Sequence, residues 1–214
     1  MKGILFDLDG TLVDTAIDMI AALKALAAEH GIDIDPDYNE YKELITHGSR
    51  AIVTSIFGHL KLAEIKTLQQ QYLHIYQELL NQNSDLFAGM DAVIKHLDKH
   101  RIPWGIVTNK PAYLATPLVN SLPALKQCGV LIGGDTTAHA KPHPVPILQA
   151  LKSLSLDPQI SWYIGDAQSD ITAANAAQMN SAIALWGYLS KKDTPSKWKA
   201  NKELQQTSDI LNLI

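Results

Sequence analysis

KGILFDLDGT, residues 2–11, runs through a short apolar stretch into two aspartates, a glycine and a threonine. A run of this length, stopped by turn-forming residues, reads as a buried β-strand. Comparable runs recur at residues 102–108, 129–133, 161–164 and 181–186, most of them separated by helix-like stretches. That rhythm predicts an α/β fold with a Rossmann-like parallel sheet. Roughly ninety residues separate the first two runs, and nearly all of them look helical. Within this gap Ile17, Ile20, Leu23 and Ala27 repeat at helical spacing before Gly31. Leu62, Ile65, Leu68, Tyr72, Ile75 and Leu79 form a second amphipathic stripe. The expectation is an α-helical cap inserted over residues 15–85, with the core built from residues 1–14 and 86–214. Its hinges are expected near Thr15 and near Asn83 in the polar stretch NQNSD, residues 81–85. The residues from Lys191 onward read as surface loop and a terminal helix.

The bulk properties narrow the functional classes. With 214 residues, 46% of them hydrophobic, the chain is long enough for one large core or a core with a smaller second unit. A net charge of −4 with acids and bases interspersed lacks the basic footprint of a nucleic-acid binder. No apolar run approaches the roughly 20 residues needed to cross a bilayer as a helix. Cys128 is the single cysteine, and the N-terminal stretch passes straight into acids instead of a cleavage site. A cytoplasmic enzyme, monomeric or a small homo-oligomer, without nucleic-acid or membrane partners, is the expectation.

Chemistry-bearing residues gather at the predicted strand ends. Along an extended strand Asp7 and Asp9 point to the same side and Leu8 away. Two carboxylates sharing a small site need a cation, a shared proton, or both. Thr108 and Asn109, closing WGIVTNKP, can donate hydrogen bonds to phosphate oxygens, though such residues also cap helices. Lys141 in AKPHP is followed closely by two prolines that fix its backbone. In WYIGDAQSD, Asp166 ends an apolar run, and Asp170 lies on the same face if a helix begins there. Each signal has an ordinary explanation as a cap, a turn or a solvated side chain. All four falling in order at the carboxyl ends of parallel strands, where α/β sheets bind ligands, favours a catalytic site.

DLDGT, the TN of WGIVTNKP, the lysine of AKPHP and GDAQSD resemble the four ordered motifs of the haloacid dehalogenase superfamily, and the resemblance spans essentially the whole chain. It implies a phosphoglycolate phosphatase-like hydrolase with a helical cap, acting on a small phosphorylated metabolite with Mg2+. By that likeness Asp7 is the nucleophile, Asp9 the general acid and base, Thr108 a phosphate ligand, and Lys141 the cation that steadies Asp7 and phosphate. Asp166 would hold magnesium together with the Asp7 carboxylate and the Asp9 carbonyl, while Asp170 acts from behind. Gly10, Thr11 and Asn109 are further candidates for the phosphate site, and Arg50, in HGSRAIV, for substrate recognition. Two departures are visible: His143 stands where KPDP is usual, and Ala167 replaces a polar residue.

Asp9 argues against dehalogenation, because a halide leaves without a proton. A β-phosphoglucomutase-like phosphotransferase shares the motifs and the cap. A receiver domain would be far shorter, and an inactive phosphate-binding module leaves the full set of reacting groups without a purpose. Within the superfamily, LFAGM, WGIVTNKP, AKPHPVP and GYLSKKDTPSKW are similar to the N-acetylmuramic acid 6-phosphate phosphatases. That makes N-acetylmuramic acid 6-phosphate the specific substrate expected, with phosphoglycolate as the alternative.

Overall fold

The computed structural model describes residues 1–214. Its chain divides into two compact units, Met1–Asp14 with Leu86–Ile214, and Thr15–Asp85. The first unit is built on β1 (Ile4–Phe6), whose three side chains are wholly buried. Parallel strands covered on both faces read as unbroken apolar runs, which is why ILF and WGIV were legible as strands.

β1 is followed by β2 (Val13–Asp14), and after the second unit the chain continues through β3 (Asp85–Leu86), which pairs with β2 in a small ribbon. Then come α5 (Met90–Lys99), β4 (Trp104–Val107), α6 (Ala112–Ser121), β5 (Leu131–Ile132) and α7 (Val145–Ser153). β6 (Trp162–Gly165), α8 (Gln168–Ala176), β7 (Asn180–Ala184) and β8 (Lys202–Leu204) complete the unit. The main sheet has the order β5-β4-β1-β6-β7-β8, and every pair in it is parallel. From β1 the chain builds outward on one side through β4 and β5, then returns to the other side at β6. The carboxyl end of β1 therefore lies at the switch point where open α/β sheets place their ligands. One face of the sheet is closed by Ile147, Ala150 and Leu151 of α7 and Ala173 and Ala174 of α8, packed on Leu5, Val107, Ile132 and Tyr163.

β8 corrects the reading of the C-terminal stretch as loop and helix. KEL carries two exposed charges and one buried leucine, a pattern suited to the edge of a sheet but without the apolar run that marks the inner strands. The terminal segment Thr207–Leu213 is a 3-10 helix.

The second unit holds α1 (Ala16–Glu29), α2 (Tyr38–Ile45), α3 (Gly48–Phe57) and α4 (Leu62–Leu79). Its buried face differs in phase from the expected stripes. In α1 Ala22, Leu23, Leu26 and Ala27 are buried while Ile17 is exposed, and in α4 Tyr76 joins Ile65, Leu68 and Tyr72 while Leu62 faces solvent. The Tyr72 hydroxyl donates to Met19 O at 3.1 Å. Asp18, wholly buried in the first turn of α1, receives four hydrogen bonds from the far end of the same unit. They come from the backbone and side-chain amides of Asn83 at 2.9 and 3.0 Å and from the backbone and hydroxyl of Ser84 at 3.0 and 2.6 Å. No helix is long and apolar enough to cross a membrane.

Candidate active site

Asp7 leaves β1 with its N–H donating to Ile164 O of β6 at 2.8 Å, so its backbone is fixed by the sheet. Its Oδ1 accepts from Leu8 N at 2.8 Å and lies 2.8 Å from Lys141 Nζ. Lys141 reaches it from the loop between β5 and α7, with a side chain only 1% exposed. The same ammonium meets Asp170 Oδ1 at 2.7 Å, Val107 O at 2.8 Å and the Tyr163 hydroxyl at 2.9 Å. Burial works against this charge, but the Asp170 and Asp7 carboxylates more than compensate and hold its pKa above the usual lysine value.

Carboxylate oxygens of Asp7, Asp166 and Asp170 lie within 4.8 Å of one another. Burial pushes the Asp7 carboxyl up to about 7, against the pull of Lys141 and reinforced by the charge on Asp170. Burial also raises Asp166 well above the usual carboxylate range, with Asp7 and Asp170 adding to the effect. The trio therefore concentrates more negative charge than one lysine relieves, a condition that favours a cation. Every donor in it is a carboxylate oxygen, which suits Mg2+ and offers zinc neither thiolate nor imidazole.

Each acid is held by a separate set of contacts. Asp166 Oδ1 accepts from the Thr11 hydroxyl at 3.0 Å and Oδ2 from Tyr188 N at 2.8 Å. Asp170 is the third residue of α8, and its Oδ2 accepts from Ala167 N at 3.0 Å, so it caps the helix as well as serving Lys141. Asp166 precedes that helix, so the two acids meet as a strand end and a cap, and not as helical neighbours four apart. β1 likewise ends at Phe6, and the approach of Asp9 to the site depends on the turn that follows and not on strand alternation. Gly10 in that turn has φ +81°, and an added Cβ would sit 2.3 Å from Asp166 Oδ2.

Thr108 directly follows β4, with its hydroxyl accepting from Lys110 N at 3.1 Å. The Asn109 amide grips the Lys141 backbone from both sides, donating to Lys141 O and accepting from Lys141 N, each at 2.9 Å. Thr11 is wholly buried against Asp166. His143 Nδ1 accepts from Val145 N at 3.2 Å, just ahead of α7. Arg50 belongs to the second unit and is exposed, in the first turn of α3.

A family profile described as haloacid dehalogenase-like hydrolase matches residues 4–184. The chain belongs to that family. Among its relatives are a phosphoglycolate phosphatase of Xanthomonas campestris pv. campestris (strain 8004), 40% identical over 98% of this chain and 94% of that protein. An N-acetylmuramic acid 6-phosphate phosphatase of Pseudomonas aeruginosa is 33% identical over 100% and 95%. The crystal structure of a predicted phosphoglycolate phosphatase from Haemophilus somnus 129PT superposes with a TM-score of 0.87 at 25% identity, covering 100% of this chain and 97% of that one. This haloacid dehalogenase-like hydrolase is accordingly a phosphatase.

Three residues of the hydrolase escaped sequence reasoning. Lys110 Nζ lies 2.9 Å from Asp9 Oδ1, with a side chain only 3% exposed. Tyr163 bridges Val107 O and Asp170 Oδ1 at 2.8 and 3.1 Å, and Tyr188 fixes both Asp166, through its N–H, and Asp14 Oδ1, through its hydroxyl at 2.8 Å. Lys110 lies within WGIVTNKP, directly after Thr108 and Asn109. Tyr163 sits in an apolar run where an aromatic residue reads as core, and Tyr188 lies just past one.

Proposed function

We propose that this phosphatase hydrolyses a small phosphomonoester through an aspartyl-phosphate formed on Asp7. The observation that carries the reading is the placement of the Asp7 carboxylate at the switch point, 2.8 Å from Lys141 and clustered with Asp166 and Asp170. In the first half-reaction an Asp7 oxygen attacks phosphorus, the ester P–O bond breaks, and Asp9 gives a proton to the departing alkoxide. In the second, a water oxygen attacks phosphorus while Asp9 takes its proton, and the bond to Asp7 breaks to release phosphate. Each turnover consumes one water and returns both aspartates to their starting state. Asp7, Asp166 and the Asp9 carbonyl are the proposed holders of Mg2+, which would neutralise charge between nucleophile and phosphate. Without such help, two unit charges about 4 Å apart repel by about 4 kcal/mol at an effective dielectric near 20. Thr108 and Lys141 are proposed to meet the phosphate oxygens, with Gly10, Thr11 and Asn109 shaping the same end of the sheet.

Asp7→Asn tests the mechanism: p-nitrophenyl phosphate hydrolysis, dependent on Mg2+ in the parent, should fall at least about a thousandfold. A residual rate within tenfold of the parent would rule out a covalent role for Asp7. For the substrate we infer N-acetylmuramic acid 6-phosphate, supported by the motifs shared with those phosphatases and by the Pseudomonas relative. The Xanthomonas relative's name favours phosphoglycolate instead. Measuring kcat/KM for both compounds decides between them.

A further inference from the structure

We propose that Lys110 is a positioning residue for Asp9, restraining the orientation of the carboxylate that exchanges a proton with the leaving group. The inference rests on the proposed role of Asp9 as acid and base. Lys110 follows β4 in TNK, and its backbone is pinned at both ends: its N–H donates to the Thr108 hydroxyl, and its carbonyl accepts from Gly134 N at 2.9 Å. The ammonium is thereby delivered to Asp9 Oδ1 at 2.9 Å, with the two side chains 3% and 15% exposed.

A nearly buried ion pair of this kind seldom adds stability over an apolar pair of the same shape, because both charges are stripped of water. What it secures here is geometry. Lys141 cannot do the same for Asp9, since its three N–H groups already face Asp7, Asp170, Tyr163 and Val107 O. Asp9, a fourth carboxylate beside the trio, is therefore met by a different cation. With Oδ1 held by the ammonium at 2.9 Å, the carboxylate proposed to exchange the proton is restrained in its orientation. Loss of Lys110 should thus be felt mainly where the leaving oxygen must be protonated. An alkyl phosphate expels a strongly basic alkoxide and needs the acid; p-nitrophenyl phosphate expels a weakly basic phenolate and needs it little.

The experiment measures kcat/KM for an alkyl phosphate (phosphoglycolate or a sugar 6-phosphate, whichever the parent cleaves faster) and for p-nitrophenyl phosphate. The proteins are the full-length parent, Lys110→Met, Lys110→Arg, Asp9→Asn and Lys110→Met/Asp9→Asn. General acid catalysis is worth about 10²–10⁴-fold, so Lys110→Met should lower the alkyl rate by about 100-fold and the aryl rate by about tenfold or less. Lys110→Arg, which keeps the cation, should hold the alkyl-to-aryl ratio within about threefold of the parent. It also decides the matter should Lys110→Met not fold: a ratio collapsed by the arginine overturns the proposal. In the Asp9→Asn background the removal of Lys110 should cost about threefold or less, because the group it positions is already gone. Equal losses on both substrates, or additive losses in the double variant, would also overturn it. Failure of the underlying reading shows separately, as a parent that cleaves neither substrate or an Asp9→Asn variant as active as the parent.

Discussion

Lys141 is the residue on which the candidate site turns. Its ammonium is the shared partner of Asp7 and Asp170, and it is nearly sealed from solvent. Replacing it with methionine keeps the volume but leaves two buried carboxylates without their counter-charge. Breaking a buried pair by removing one partner typically costs about 3–5 kcal/mol, and Lys141→Met should lose that much in urea unfolding of the metal-free protein. Lys141→Met/Asp170→Asn, which neutralises one of the orphaned acids, should regain at least about 1 kcal/mol of it. A single variant as stable as the parent would show that water or a rearranged loop replaces the ammonium at little cost.

At the scale of elements, the site depends on how tightly α8 is drawn onto the end of β6. A Cβ added to Gly165 would lie 2.4 Å from the Asp170 carboxyl carbon and 2.6 Å from its Cβ. Gly165→Ala should therefore displace Asp170, loosen Lys141 and reduce hydrolysis of p-nitrophenyl phosphate about a hundredfold or more, with a melting midpoint lowered by several degrees. Activity within threefold of the parent would mean that α8 can shift without disturbing Lys141. The same junction shows what the sequence could convey. Asp7 and Asp166 were legible because each follows an apolar run in a parallel α/β rhythm, and Lys141 because two close prolines mark its loop. Tyr163 and Lys110 were not, because a tyrosine in WYIG looks like core and a lysine after TN looks like surface; only the neighbouring strand ends give them partners. β8 was missed for the opposite reason: an edge strand of mostly charged residues has no apolar signature. The helical stripes of α1 and α4 were visible, but their phase was read too far toward Ile17 and Leu62, since periodicity does not distinguish the centre of a buried face from its rim.

For the whole molecule, three acids gathered under limited counter-charge predict that folding and cation binding are linked. Magnesium at about a hundred times its Kd should stabilise the protein by about 2.7 kcal/mol, or roughly 5–10 °C in melting midpoint. Calorimetry with and without chelator checks this, and the shift should shrink sharply in Asp166→Asn. Arg50 is proposed to govern which substrate is accepted, because every proposed reacting group belongs to the other unit. Arg50→Ala should lower kcat/KM on the natural substrate by about tenfold or more, as expected for one lost charged hydrogen bond of about 1.5–3 kcal/mol, and leave p-nitrophenyl phosphate within about threefold. Equal losses on both would remove it from that role.

The four hydrogen bonds converging on Asp18 bear on why a sheet protein can carry so long an interruption between its first two main strands. Closing a flexible loop costs entropy that grows with its length, by about 0.6 kcal/mol per doubling. Residues 15–85 do not behave as a loop of that length, because Asn83 and Ser84 are tied back to the first turn of α1 and the segment's entrance and exit lie side by side. To the strands on either side, the insertion presents itself as a short connection. A segment that closes on itself in this way can be exchanged or remodelled as a cassette, so the chemistry at the strand ends can stay fixed while recognition changes around it.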